Sequence, residues 1–417
     1  MTKGTDTPRR LDAAWLSQPP LATLLEALDS EGEEARVVGG AVRNTLLGEP
    51  IGDIDIATTA LPDETMRRAA ALDFKPVPTG IAHGTITVVA QGRPYEVTTL
   101  RTDVETFGRH ASVAFGRDWE ADAKRRDFTV NALSATRDGR VHDYVGGLAD
   151  IAARQVRFIG DPMQRIAEDY LRILRFFRFH AVYGTGAIDA AGLHACIVSR
   201  VGLDRLSRER VRSEMLKLLA ATHAVPALVA MAECGILVML LGGVPLLASF
   251  ENTVKVEHAA GVSADPVRRL AALGAFLIED AARLGEKLRL SNVEQLRIQS
   301  MADRWWRVNP ADNIAARVLL YRVGPERFVD RVLLAWARSS AGAADPNWRT
   351  LALLPERWEV PVFPIKAADL IGRGVAQGPR LGIALRAAEE AWIAAGFPQR
   401  SEDLARLADE AATRLPA

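Results

Sequence analysis

The apolar residues of this chain recur with a period of about two up to residue 150 and of nearly four beyond it, the spacings of half-buried strands and of helices. That switch restricts the chain to an α+β fold: a sheet-bearing first third followed by an almost wholly helical remainder. Short β-rich runs bounded by Gly and Pro lie at 37–39, 53–58, 85–90 and 95–100 and predict one sheet. Helices are expected over 41–47 and after Pro62, where Asp63 and Glu64 suit a helix N-terminus. Asp138-Gly139 predicts a hairpin over 133–144, because Asp-Gly tolerates the positive φ of such turns. Farther on, Ile166, Tyr170, Leu174 and Phe177 are expected to form one helical stripe, continued by Val211, Met215 and Leu218.

With 417 residues, roughly 150 per domain predicts two to four units. Charge excludes a molecule that coats nucleic acid indiscriminately, since 52 basic residues balance 52 acidic ones. Any nucleic-acid site must be local, and between Arg154 and Lys217 twelve Lys or Arg face seven Asp or Glu, a balance that also fits a solvated helix face. Cys196 and Cys234 have apolar neighbours and no metal-ligand spacing, and both are expected to be buried and reduced. The N-terminal residues lack a signal-peptide run, and Pro226, Glu233, Gly242, Gly243 and Pro245 interrupt the most apolar stretch, so a cytoplasmic protein is expected.

The segment VVGGAVRNTLLGEPIGDIDIATT concentrates the chemistry. Asp53 and Asp55 stand two apart, and on a strand both carboxylates would share a face. Two hard oxygen donors suit Mg²⁺, which takes one or two carboxylates plus substrate phosphates. Glu96, in a separate candidate strand, either completes that site or is an exposed strand carboxylate. Gly39 and Gly40 end a strand before a helix, where backbone amides can approach a phosphate, and Arg43 lies one turn further on. In RRDFTVNAL, Arg125, Arg126, Asp127 and Asn131 can bind phosphate and ribose hydroxyls, or form a helix start with a basic flank.

Taken in order, GGAVRN, DID, YEVTTLR, RRDFTVNAL and EDYLR resemble the class II tRNA nucleotidyltransferase and bacterial poly(A) polymerase family over roughly residues 36 to 220. The resemblance implies a polymerase β-like nucleotidyltransferase head (1–145), a helical neck that recognises the base (146–222), and a helical body and tail that bind tRNA (223–417). It implies Asp53 and Asp55 as metal-binding catalytic residues, Glu96 as the third catalytic acid, and Asp127 and Asn131 at the ribose, with Arg126 at phosphate. The family commonly has Asp after GGxVR, where this chain has Asn44.

Asp169 and Arg172, three apart and expected on one helical face, are either a surface ion pair involving Glu168 or a base reader. Asp accepts from an exocyclic amino group and Arg donates to a ring acceptor, a combination that cytosine and adenine satisfy and guanine and uracil do not. The resembled enzymes use the matching pair as an amino-acid template, which implies CTP and ATP as substrates. Residues 102–124 are polar with two glycines and are expected to form a mobile loop, which the resemblance links to the change from C to A addition. Arg210, Glu214 and Lys217 either brace the neck or face RNA, and bracing is favoured. His258, Asp265 and His142-Asp143 form no phosphohydrolase metal motif, and Trp305-Trp306 is expected in a core.

The leading expectation is CCA addition to the 3′ end of tRNA with release of pyrophosphate. A poly(A) polymerase and a C-only or A-only enzyme share the motifs. A non-catalytic RNA-binding protein is disfavoured, because a binder needs no metal carboxylates.

Overall fold

The computed structural model describes residues 9–107 and 110–413. The chain divides into two compact units, Met1–Leu240 and Leu241–Ala417.

Among the described residues the first unit contains nine strands: β1 (Ala35–Val38), β2 (Asp55–Thr58), β3 (Lys75–Gly80), β4 (Thr85–Ala90), β5 (Arg93–Thr99), β6 (Arg101–Phe107), β7 (His110–Phe115), β8 (Ser134–Ala135) and β9 (Val141–His142). Seven of them form one mixed sheet in the order β3-β4-β5-β2-β1-β8-β9, antiparallel except for β2 beside β5. Alternation sets the faces. Along β4, Ile86, Val88 and Ala90 are buried while the residues between them are half-exposed. The hairpin expected at Asp138-Gly139 is present, with β8 paired to β9 and Gly139 at φ +82°.

Helices α2 (Gly40–Leu47) and α3 (Pro62–Ala71) follow the expected signals, with Pro62 in the first turn of α3, and a helix not expected from the sequence, α1 (Leu21–Leu28), precedes them. Arg68 of α3 is buried and donates to the carbonyls of Ala27 and Ser30 (both 2.9 Å), satisfying the chain end of α1.

The loop expected over 102–124 is instead an antiparallel hairpin, β6 with β7, followed by α4 (Trp119–Lys124). Thr102, Val104 and Thr106 recur every second residue, and this β-branched alternation prevails over a polar composition. Residues 108–109, which belong to the same expected segment, lie outside the described residues. Asp118 caps α4 by accepting from the N–H groups of Glu120 and Ala121.

The rest of the first unit is helical: α5 (Gly147–Ala152), α6 (Pro162–Glu168), α7 (Leu171–Tyr183), α8 (Ala190–Ser199), α9 (Arg208–Leu219) and α10 (Ala224–Glu233). The single stripe expected from Ile166 to Phe177 is split, because the helix ends at Glu168 and restarts at Leu171. Phe128, Phe158 and Phe176 cluster at 4.8 to 6.2 Å between ring centroids, Phe158 stacked on Phe176 and Phe128 tilted against both, and pin α7 to the segment before β8. Cys196 is buried, whereas Cys234 is only half-buried, and both are free thiols.

Helices also fill the second unit, around one core with Phe328, Val332 and Trp336 and another with Trp392, Ile393 and Leu407. A charged network lies within it: Arg268 donates to Glu257 (2.7 Å) and Asp330 (2.9 Å), Arg269 to Glu257 (2.8 Å), and Arg297 to Asp330 (2.9 Å). Trp305 packs edge-on against Phe276 at 5.1 Å, but Trp306 is 55% exposed, so the Trp pair is not wholly core. Among the described residues no helix is long and apolar enough to cross a membrane.

Candidate active site

Strand register brings the sequence motifs together. β1 and β2 run antiparallel with Val38 opposite Asp55, so the end of β1 lies beside the start of β2. Directly after Val38, Gly39 adopts φ +67°, open to glycine at little cost, and α2 begins at Gly40. A Cβ at Gly39 would lie 3.4 Å from Arg126 Nη1, an ordinary contact, so it is the positive φ that calls for glycine here and the closeness shows that Arg126 lies against this turn. On its other edge β1 pairs with β8, Val38 opposite Ser134, and the Gly39 N–H donates to the Leu133 carbonyl at 3.0 Å. Glycines, aspartates and RRDFTVNAL therefore meet at one end of the sheet.

The strand expected from residue 53 begins at Asp55, so the shared-face argument does not apply to Asp53. The loop before β2 brings Asp53 alongside instead. Both carboxylates line a cleft of about 740 Å³, together with Gly39, Gly40, Arg43, Arg126, Asp127, Asn131, Asp169 and Arg172. Glu96 does not line it. It stands opposite Asp55 in the parallel β2–β5 register and is exposed, yet close enough to influence that carboxyl. Burial pushes Asp55 above the ordinary carboxylate range, with Glu96 and Asp53 adding to the effect and Arg126 opposing it.

Like charges held this close favour a cation between them, and Asp53 and Asp55 offer hard oxygen donors suited to a divalent metal. Among the described residues no three His, Cys, Asp or Glu side chains converge on a ready-made metal cage. One or two carboxylates suffice where substrate phosphates supply the remaining ligands, so the residues present fit such an ion.

Arg125, Arg175, Arg178, Arg210 and Lys217 also line the cleft, giving it eight cationic side chains against four carboxylates. This polarity favours a polyanion such as a triphosphate. Arg175 and Arg178 were not singled out from sequence, although the spacing of three between Arg172, Arg175 and Arg178 along α7 already makes each a neighbour of the next on the helix surface.

Asp127 is the hub of the polar floor. Its Oδ2 accepts from Arg175 Nη2 (2.6 Å) and Nε (2.8 Å), and its Oδ1 accepts from Asn131 Nδ2 (3.0 Å) and the Phe128 N–H (2.9 Å). Burial alone would raise this carboxyl, but Arg175, Asn131 and Phe128 outweigh it and hold Asp127 below its ordinary value. Arg43 is buried and donates to Asn131 Oδ1, to Asn44 Oδ1 (2.9 and 3.0 Å) and to the Tyr183 hydroxyl (2.7 Å). Most of its donors are thus committed within the protein. Asn44 also donates to the Pro50 carbonyl at 2.7 Å, so its amide serves as acceptor and donor at once, which an ionised Asp cannot do.

Asp169 and Arg172 do not share a continuous helix. Asp169 lies in extended backbone (φ −154°, ψ 107°) between α6 and α7, and Arg172 is in the first turn of α7. Their side chains turn to other partners, and the two residues meet only through the Arg172 N–H, which donates to the Asp169 carbonyl at 3.0 Å. Asp169 Oδ2 accepts from Arg210 Nη2 at 2.7 Å and its Oδ1 from the Leu171 N–H at 3.1 Å. Arg172 donates to Glu168 and to the Arg165 carbonyl.

The family model described as "Poly A polymerase head domain" matches residues 35–157, and one described as "Probable RNA and SrmB- binding site of polymerase A" matches residues 194–250. A Mus musculus protein named "CCA tRNA nucleotidyltransferase 1, mitochondrial" is 34% identical over 393 residues, covering 92% of this chain and 88% of that one. A "CCA-adding enzyme" of Geobacillus thermodenitrificans is 45% identical over 222 residues, 52% of this chain and 54% of that protein. Among solved structures, the Bacillus stearothermophilus CCA-adding enzyme in complex with CTP superposes with a TM-score of 0.75 at 30% identity, covering 95% of this chain and 99% of that one. The chain therefore belongs to the CCA tRNA nucleotidyltransferase family of CCA-adding enzymes.

Proposed function

We propose that this protein adds CMP and AMP to the 3′ end of tRNA without a nucleic-acid template, releasing pyrophosphate at each step. The observation that carries this reading is the convergence, in one cationic cleft, of Asp53 and Asp55 with Gly39 and Gly40 and with Asp169 and Arg172. Relatives across nearly the whole chain bear the same activity in their names, and the structural neighbour at 30% identity is a complex with CTP.

Asp53 and Asp55 are assigned to a divalent ion, taken to be Mg²⁺, and Glu96, beside Asp55 in the β2–β5 register but outside the cleft lining, is assigned as a third acid that acts on Asp55 through its charge. When bound, that ion supplies charge neutralisation and activation of the attacking 3′ hydroxyl. The backbone at Gly39 and Gly40 approaches the triphosphate, and Arg126, with the remaining donor capacity of Arg43, neutralises its oxygens. Asp127 and Asn131, locked by Arg175 and Arg43, orient the ribose. Holding the reacting groups in place converts a bimolecular encounter into an oriented one, and the fixed guanidinium groups compensate the charge that builds on the phosphate.

Asp169 accepts from the amino group of cytosine or adenine while Arg172 donates to the neighbouring ring nitrogen. The head is assigned to 1–145, the neck to 146–222, and the tRNA-binding body and tail to 223–417. The test is a magnesium-dependent incorporation assay on a tRNA transcript lacking its terminal CCA, with labelled CTP and ATP separately and together. Two C residues followed by one A are expected; addition of C alone, of A alone, or of long A tails would reassign the enzyme, and no incorporation would refute the reading.

A further inference from the structure

Arg210 belongs to α9, yet it reaches the same cleft as Asp169 and donates to that carboxylate at 2.7 Å. We propose that Arg210 is a specificity-determining positioning residue: it holds the Asp169 carboxylate in the orientation that accepts from the amino group of cytosine or adenine. This inference rests on the assignment of Asp169 to base recognition.

Outside a regular helix, Asp169 has no i,i+4 neighbour to fix its rotamer, and its extended backbone leaves the carboxylate dependent on outside partners. Two donors supply the constraint, the Leu171 N–H on Oδ1 and Arg210 on Oδ2. A carboxylate has about four acceptor sites, so both bonds can persist while one amino group is accepted.

The support behind Arg210 is rigid. One turn along α9, buried Glu214 accepts from Arg178 of α7 at 2.6 Å and fixes the helix against its neighbour. Tyr170, the residue between Asp169 and α7, is held from the same side: a Cβ at Gly202 would fall 1.9 Å from its ring, and the Arg205 guanidinium lies 5.6 Å from the ring centroid. Because the Glu214–Arg178 pair already joins α9 to α7, the more exposed Arg210–Asp169 pair is not needed as a tether. Its distinct effect is on the direction of the Asp169 oxygens. Without it, Asp169 leaves its station while Arg172, held by Glu168 and the Arg165 carbonyl, still offers donors that the carbonyls of uracil and guanine accept.

The experiment measures kcat and KM for each of the four triphosphates with the full chain and a tRNA transcript lacking CCA, for wild type, R210A, R210K and D169A. In R210A the preference for CTP over UTP in kcat/KM is expected to fall about tenfold, the worth of one hydrogen bond, and R210K is expected to recover most of it. Should thermal unfolding show R210A to be poorly folded, R210Q and R210K read the same ratio. An unchanged ratio, or an equal loss for all four nucleotides, overturns the proposal. Relaxed choice in D169A but not in R210A removes this inference and leaves the base-recognition reading standing; wild-type protein that incorporates nothing removes both.

Discussion

At the residue scale, Asp53 and Asp55 are the side chains whose charge the proposed reaction needs most directly. Asn at position 53 or 55 keeps the size of the side chain but removes a charge that a divalent ion requires. D53N and D55N are each expected to lower nucleotide incorporation by about 10³-fold, several kcal/mol of lost charge stabilisation, with little change in the melting temperature. Activity near wild type in either variant would remove that residue from the chemistry. His180 provides an independent check on the neck. Burial holds its imidazole below the ordinary value, with nearby His223 adding to the effect. The unfolded chain therefore binds a proton that the folded chain resists. His180 contributes stability that is complete above about pH 6.5 and is lost as pH falls towards its folded value. Urea unfolding of wild type and H180N across this range should show a steeper acid loss in wild type; equal slopes would contradict the assignment.

At the scale of elements, register and helix breaks carried what the sequence could not convey alone. Spacing and motif order singled out Asp55, Gly39, Gly40, Asp127 and Asn131, which the fold gathers along one candidate cleft. Asp53 was legible as well, although the strand invoked for it starts two residues later. The break at Asp169 was hidden because Ile166, Leu174 and Phe177 keep a helical spacing on both sides of it, and a two-residue interruption barely disturbs the apolar period. The β6–β7 hairpin was hidden by polar composition, although its β-branched alternation was in plain view. Arg175 was missed because a ligand for Asp127 lies 48 positions away in sequence, and only packing of α7 reveals it. R175A would strand the buried Asp127 charge, a loss of about 3 to 5 kcal/mol, measurable by denaturant unfolding. A loss under 1 kcal/mol would show that Asn131 and the Phe128 N–H suffice.

For the whole molecule, the candidate active-site residues lie in the first unit, and the second is organised around charge as well as apolar packing. Asp330 is fully buried, and burial pushes its carboxyl up while Arg268 and Arg297 pull it down. Deleting one member of such a network costs more than the network contributes relative to apolar packing, because the partners keep their buried charge. D330A is expected to destabilise the protein by about 3 to 5 kcal/mol, read as a drop in the thermal midpoint, and an unchanged midpoint would show that the arginines find other partners. The measurement that bears most directly on the account is the sequence of the added 3′ ends when a tRNA transcript lacking CCA is offered all four triphosphates at equal concentration. Termini reading CCA, with D169A giving mixed nucleotides at the same positions, are predicted. Mixed termini from wild type, or runs of A on unrelated RNAs as readily as on tRNA, would contradict a cleft that selects C and A by its own side chains.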